Sequence, residues 1–256
     1  MNLDGKKIIL TGASSGIGKA VLAELKKYNT EIIVGDLDPE AVDTGKNCQA
    51  IACDVSQPKN IDRLFKEATK QMGQVDLFIA NAGFAYFEKI HKADWKHIEK
   101  IYQVNFMAPV YAALKMKELN GDREHRTVVT ASAMGKWALP GYALYSSTKA
   151  ALDSFATAYR TELIDKKSVT LVYPIATKTE FFKVAADDTT PVAWPVQSPE
   201  HVARSIVKGI IKNKKSIFPS FLFRSMMALD RFIPIIRPLY LKIETYKLNK
   251  WANSRG

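Results

Sequence analysis

Tyr145 and Lys149 stand four residues apart in the run Tyr145-Ser-Ser-Thr-Lys149, thirteen residues after Ser132. On a helix that spacing puts both side chains on one face, so an ammonium can sit beside a phenol. A neighbouring cation favours phenolate and pulls a tyrosine pKa from about 10 toward working pH. A phenol tuned in this way is a candidate general acid/base. Well upstream lies a glycine-rich turn, Thr11-Gly-Ala-Ser-Ser-Gly-Ile-Gly18. Gly12, Gly16 and Gly18, with Ser14, Ser15 and Ile17 between them, let the backbone turn and approach a pyrophosphate. A helix opening at that point offers free N–H groups and the positive end of its dipole.

Further polar residues follow strand-like runs. Asp36 closes the second such run, and an acid there can accept the hydroxyls of an adenosine ribose while repelling a 2′-phosphate. NAD(H) is therefore favoured and NADP(H) left open. Asp54 reads either as a turn aspartate or as an acceptor for the adenine amino group. Asn81-Ala82-Gly83 reads either as a turn or as a wall of the same cleft.

These groups need elements to hold them. Apolar runs at Lys7–Leu10, Glu31–Gly35, Ala50–Cys53, Val75–Ala80, Thr127–Thr130 and Val169–Tyr173 predict strands. Stretches at Lys19–Tyr28, Pro58–Met72, Asp94–Glu118 and Tyr145–Asp165 predict helices between them. The alternation predicts one doubly wound α/β domain with a parallel sheet and ligands beyond the strand C-terminal ends. The glycine turn, Asp36, Asp54, Asn81–Gly83 and Ser132 each fall just past a strand end. The polar, proline-interrupted stretch 178–199 is too long for an ordinary connector and predicts a lid over a site. Ser198-Pro199-Glu200 predicts the next helix start.

The chain has 256 residues, 47% of them hydrophobic and 25% charged, which suits a soluble globular protein able to build its own core. Cys48 and Cys53 have neither redox-pair nor zinc spacing and make no ligand cluster with the four histidines, so no metal site is expected. They read as reduced thiols in a reducing compartment. Lacking signal-peptide architecture and any long uncharged apolar window, the chain is expected to be cytoplasmic.

With these residues assembled, the chain resembles the short-chain dehydrogenase/reductase family in its form of about 250 residues. The match comprises the glycine turn, Asp54-Val55, Asn81-Ala-Gly83, Asn105, Ser132, Tyr145-x-x-x-Lys149 and Pro174 through Thr179. The resemblance implies a single Rossmann domain with about seven parallel strands, and a homodimer or homotetramer built on the helices near 95–118 and 145–165. It implies that Tyr145 is the acid/base, that Lys149 lowers its pKa and binds the nicotinamide ribose, and that Ser132 holds the substrate oxygen. Asn105 would hold a water of a proton relay. Pro174, Ile175, Thr177 and Thr179 would border the nicotinamide, with Thr179 on its carboxamide. Where the family commonly has Pro-Gly after the sixth strand, this chain has Pro174-Ile175, which narrows the approach to the nicotinamide.

The expected activity is thus interconversion of a secondary alcohol and a carbonyl. Phe84, Tyr86, Met134, Trp137, Leu139, Tyr142, Phe181, Phe182 and Trp194 would form apolar surroundings for a lipid-like, steroid-like or aromatic small molecule. The sequence divides into a nucleotide-binding domain at 1–215 and a basic, apolar extension at 216–256. Residues 201–256 hold twelve Lys/Arg against two acids, Asp230 and Glu244. Pro234 and Pro238 should break the extension into short segments, with Arg224 and Arg231 on one helical face and Met226, Leu229 and Ile233 on the other. Three uses fit it: peripheral membrane contact, a flap over the pocket, or an interface. No nucleic-acid reading module accompanies the charge. A non-catalytic NAD(H)-responsive binding protein and a membrane-peripheral scaffold are the competing functions.

Overall fold

Valine- and isoleucine-rich runs buried on both faces build the centre of the molecule. In this computed structural model, which describes residues 1–165 and 167–254, β1 (Lys7–Thr11) has Ile8, Ile9 and Leu10 fully buried. It lies between β2 (Glu31–Asp36) and β4 (Leu77–Ala80), all parallel. β3 (Cys48–Ala52), β5 (Arg126–Thr130), β6 (Val169–Val172) and β7 (Ser216–Ile217) complete a seven-stranded sheet of order β3-β2-β1-β4-β5-β6-β7. The chain reverses its winding between β1 and β4, which opens a crevice beyond their C-terminal ends. β7 pairs with β6, so the sheet runs two residues past the boundary expected at 215.

Helices cover both faces. α1 (Gly16–Leu25) and α7 (Pro199–Ile211) pack together on one, around Val21, Leu22, Val202 and Ile206. α2 (Pro58–Met72), α4 (Ala108–Asn120) and α5 (Ala143–Glu162) contribute to the core on the other. Ser198 caps α7 by accepting from the His201 N–H, as Ser198-Pro199 predicts.

The single helix expected over Asp94–Glu118 is interrupted. α3 (Trp95–Tyr102) passes into a wide π turn at Gln103–Met107 before α4 begins, and the Ala108 N–H reaches back five residues to the Gln103 carbonyl. Pro109, in the first turn of α4, has no N–H to give the Asn105 carbonyl, so the ordinary register cannot continue there.

Beyond the sheet, α6 (Phe181–Ala185) lies within the 178–199 segment, followed later by α8 (Phe221–Asp230) and α9 (Ile236–Asn253). Pro234 falls between the last two helices. Pro238 does not break α9: it sits in its first turn, where an N–H would have no intrahelical partner. Arg231 is the residue that ends α8, still in helical conformation seven residues after Arg224. Cys48 and Cys53 are both buried and free.

Candidate active site

Past the C-terminal ends of the strands lies a cavity of about 590 Å³. At one end is the glycine turn. Gly12 and Gly16 have φ of +70° and +55°, in the left-handed region that favours glycine. Gly18 is needed for another reason: a Cβ there would lie 1.7 Å from the Gly12 carbonyl oxygen. Ser15 precedes α1 without a side-chain cap, so its hydroxyl is not committed to the helix N-terminus. Ser14, Ser15, Gly16 and Ile17 line the cavity beside Gly12. Gly18 lies behind them, holding the helix against the turn.

Asp36 is nearly buried at the end of β2. Its Oδ2 accepts from the Ala13 and Ser14 N–H groups at 2.6 and 2.8 Å, and its Oδ1 from the Asp38 N–H at 3.1 Å. The carboxylate therefore braces the turn as well as facing the cavity, where the sequence suggests only an acceptor of ribose hydroxyls. Asp54 likewise takes up its turn role, with Oδ1 accepting from the Ser56 N–H at 2.9 Å, yet it too lines the cavity with Val55. The turn role is the one the hydrogen bond carries, while the place on the wall leaves the carboxylate facing the cavity.

A chain of hydrogen bonds joins the glycine turn to the titratable pair. Asn81 Nδ2 donates to the Gly12 carbonyl at 2.7 Å, and its Oδ1 accepts from the Thr130 hydroxyl at 3.3 Å. The Thr130 carbonyl in turn accepts from Lys149 Nζ at 2.8 Å. Thr11 supports the same corner, its hydroxyl accepting from the Asn81 and Ala82 N–H groups. Lys149 projects from α5 with its ammonium 5.6 Å from the centre of the Tyr145 ring. Ser132 follows β5. Its oxygen accepts from the Met134 N–H at 3.1 Å, which leaves the hydroxyl hydrogen for the phenol or a ligand. Pro174 steadies this turn, its carbonyl accepting from the Ala133 N–H at 2.8 Å.

Burial dominates the electrostatics of the pair. Tyr145 and Lys149 are 7% and 4% exposed. Desolvation pushes the phenol up to about 12, against a lowering hydrogen bond from Ser132. Desolvation also pulls the Lys149 amine down to about 7. The lowering of the phenol expected from its neighbour is therefore outweighed, because both groups pay for leaving water and the amine holds its charge weakly.

Asn105 has partners of its own. It is fully buried and lies off the cavity wall. Its Oδ1 accepts from the Phe84 N–H at 3.1 Å and its Nδ2 donates to the Phe84 carbonyl at 2.7 Å. This side chain anchors the loop after β4. Gly83 permits the close approach, since a Cβ there would be 2.9 Å from Asn105 Oδ1.

The rest of the wall divides by polarity. Pro174, Ile175, Thr177 and Thr179 border the middle, with the Thr179 side chain over Gly16. Phe84, Met134, Trp137, Leu139, Phe181, Phe182 and Trp194 line the apolar end, as the sequence suggests. Tyr86 and Tyr142 do not: Tyr86 stacks on His97 at 3.7 Å, and Tyr142 is buried against Phe87 and Tyr145. Sequence reasoning missed Phe223, Met226 and Tyr240 from α8 and α9, which close this end. Apolar residues within a basic tail were the available signal, and the inner sides of the extension cover this end of the cavity.

The fold and cavity define a Rossmann-type α/β protein with a buried tyrosine–lysine pair at a nucleotide-sized cleft. A family model described as "short chain dehydrogenase" matches residues 6–190, and the chain belongs to this family of oxidoreductases. It is 27% identical over 249 residues to human epidermal retinol dehydrogenase 2, covering 91% of this chain and 80% of that protein. It is 27% identical over 243 residues to human 17-beta-hydroxysteroid dehydrogenase 13, covering 90% and 80%. Among solved structures, a short-chain dehydrogenase/reductase from Burkholderia phymatum in complex with NAD superposes with a TM-score of 0.79 at 20% identity, covering 90% of this chain and 93% of that one. A short-chain dehydrogenase from Burkholderia cenocepacia J2315 in complex with NADP gives 0.78 at 19% identity, covering 93% and 98%.

Proposed function

We propose that this protein interconverts a secondary alcohol and the matching carbonyl of an apolar, lipid-like molecule, using a nicotinamide dinucleotide. The observation that carries this is the joining of the Tyr145–Lys149 pair to the glycine turn through Thr130 and Asn81 within one cavity. The residues present suit the dinucleotide: a glycine cradle that a Cβ would fill, an α1 start with Ser15 uncommitted, and carboxylates at Asp36 and Asp54 on the wall. Asp36 supports NAD(H) over NADP(H) through charge repulsion of a 2′-phosphate. When bound, the nicotinamide exchanges a hydride with the substrate carbon.

The protein's own residues manage the proton and the position. In oxidation the Tyr145 oxygen takes the proton of the substrate hydroxyl, and in reduction it returns it to the carbonyl oxygen. Ser132 donates its hydroxyl hydrogen to that same oxygen. Lys149, when protonated, favours the phenolate and holds a hydroxyl of the cofactor ribose. Ile175 and the aromatic wall exclude water and select apolar substrates, a preference supported by the retinol and hydroxysteroid named for the relatives. Exposed Trp95, Met107 and Leu114, along α3, the π turn and α4, support a homo-oligomer through that region.

Tyr145→Phe keeps the ring and removes the proton. Turnover followed by NADH absorbance over a panel of ketones and alcohols should fall by about 10² to 10⁴, with dinucleotide binding retained. Near-normal turnover would overturn the assignment.

A further inference from the structure

α9 is apolar on two faces, and the cavity explains only one. Its inner face packs Tyr240, Leu241, Leu248 and Trp251 into the core. On the far side Leu239, Ile243 and Tyr246, spaced i, i+4, i+7, form a stripe that is 55%, 55% and 69% exposed. The stripe continues into the turn between α8 and α9, where Phe232 is 83% exposed and Ile235 61%. Phe221 adds to the outer side of α8. A contiguous exposed apolar surface of this kind marks a docking site.

The charge around it indicates what docks. Residues 221–254 carry six basic side chains and two acids. Both acids are engaged: Glu244 is buried and paired with Lys247 at 2.7 Å, and half-buried Asp230 accepts from the Arg237 N–H at 3.1 Å. Arg224, Arg231, Arg237, Lys242 and Lys250 are exposed, and among the described residues none of the five makes an ion pair within 4.0 Å. Aromatic and aliphatic side chains ringed by unpaired cations complement an anionic lipid interface. Among the described residues no helix is long and apolar enough to cross a membrane, so the helices would lie in the interface plane. The hairpin also borders the cavity's apolar end. Tyr240 donates its hydroxyl to the Trp194 carbonyl at 3.0 Å, and Trp194, itself 66% exposed, lines the cavity with Met226.

We propose that the α8–α9 hairpin seats this protein on an anionic phospholipid surface, with the apolar end of the cavity turned toward the lipid. This goes beyond the redox reading, and its test needs no turnover, so either can fail while the other stands. Full-length protein should co-float with mixed phosphatidylcholine–phosphatidylglycerol vesicles and bind at least about tenfold less to phosphatidylcholine alone. Phe232→Asp combined with Ile235→Asp, both on the open turn, should abolish flotation without lowering the melting temperature. Tryptophan emission should shift to the blue on the mixed vesicles, and Trp194→Phe should remove most of that shift. No flotation, or flotation indifferent to lipid charge and to the aspartates, would overturn the proposal. So would an assembly on light scattering that the aspartates dissociate and that has no vesicle affinity, since a second copy would then occupy the face. Flotation with an emission shift that survives Trp194→Phe would overturn the orientation of the cavity.

Discussion

Lys149 is where position and protonation meet. Its amine is held in place by the Thr130 carbonyl, but burial lowers its pKa to about 7 from the ordinary 10.5. The folded state therefore binds fewer protons than the unfolded state between these values, and stability attributable to this group rises with pH across the window. Below about 7 both states are protonated and the full cost of the buried charge is present. Lys149→Met removes that cost along with its pH dependence. The variant should gain more stability relative to the parent at pH 7 than at pH 9, by about 2 kcal/mol in chemical denaturation at the two pH values. A gap that does not change with pH would show that the amine keeps its proton throughout. Tyr145 acts in the opposite sense only at higher pH. Its raised pKa, about 12, makes the folded state retain a proton that the unfolded tyrosine loses above about 10.

At the scale of elements, the π turn between α3 and α4 serves the site by aiming one side chain. Asn105 faces the backbone of Phe84, giving its N–H an acceptor and its carbonyl a donor. Asn105→Asp keeps the acceptor and replaces the donor with oxygen, so two carbonyl-type oxygens would meet in a buried space. The expected loss is about 1–3 kcal/mol of unfolding free energy, read by urea denaturation. A loss no larger than that of an exposed substitution would mean water reaches the pair. This contact also marks the limit of what the sequence discloses. The glycine turn, the Tyr145–Lys149 spacing and the strand ends could be read because each depends on neighbours a few residues apart. The partners Asn105 and Phe84 lie 21 residues apart and meet only through the folded loop. The two pKa directions were hidden for the same kind of reason: spacing brings an ammonium to a phenol, but the whole core determines how much water either keeps. Pro238 was misleading because a proline breaks a helix interior yet is tolerated in a first turn.

At the scale of the whole molecule, the cavity is built by both ends of the chain. Strand ends and the glycine turn form the polar half, while α8 and α9 arrive from the last forty residues to close the apolar half. Ala133, Trp137 and Phe223 form a small core of their own, with Ile175, Met226 and Tyr240 packed against it. Local patterns could not assign these residues to the site, since basic and apolar side chains alternate in the tail and only the packed structure separates its faces. The division of the cavity has a consequence for substrate range. Met226 faces the apolar half from an unbranched side chain, far in sequence from the glycine turn. Met226→Trp should fill part of that half and leave the polar half unchanged. KM for bulky apolar alcohols should then rise at least about tenfold, or ~1.4 kcal/mol, while small alcohols and dinucleotide affinity change little. Steady-state kinetics over a series of graded alcohols, with dinucleotide titration in parallel, would measure both. An equal loss for large and small substrates would mean that the two halves are coupled through the shared wall at Ile175, and that the extension shapes more than the far end of the cavity.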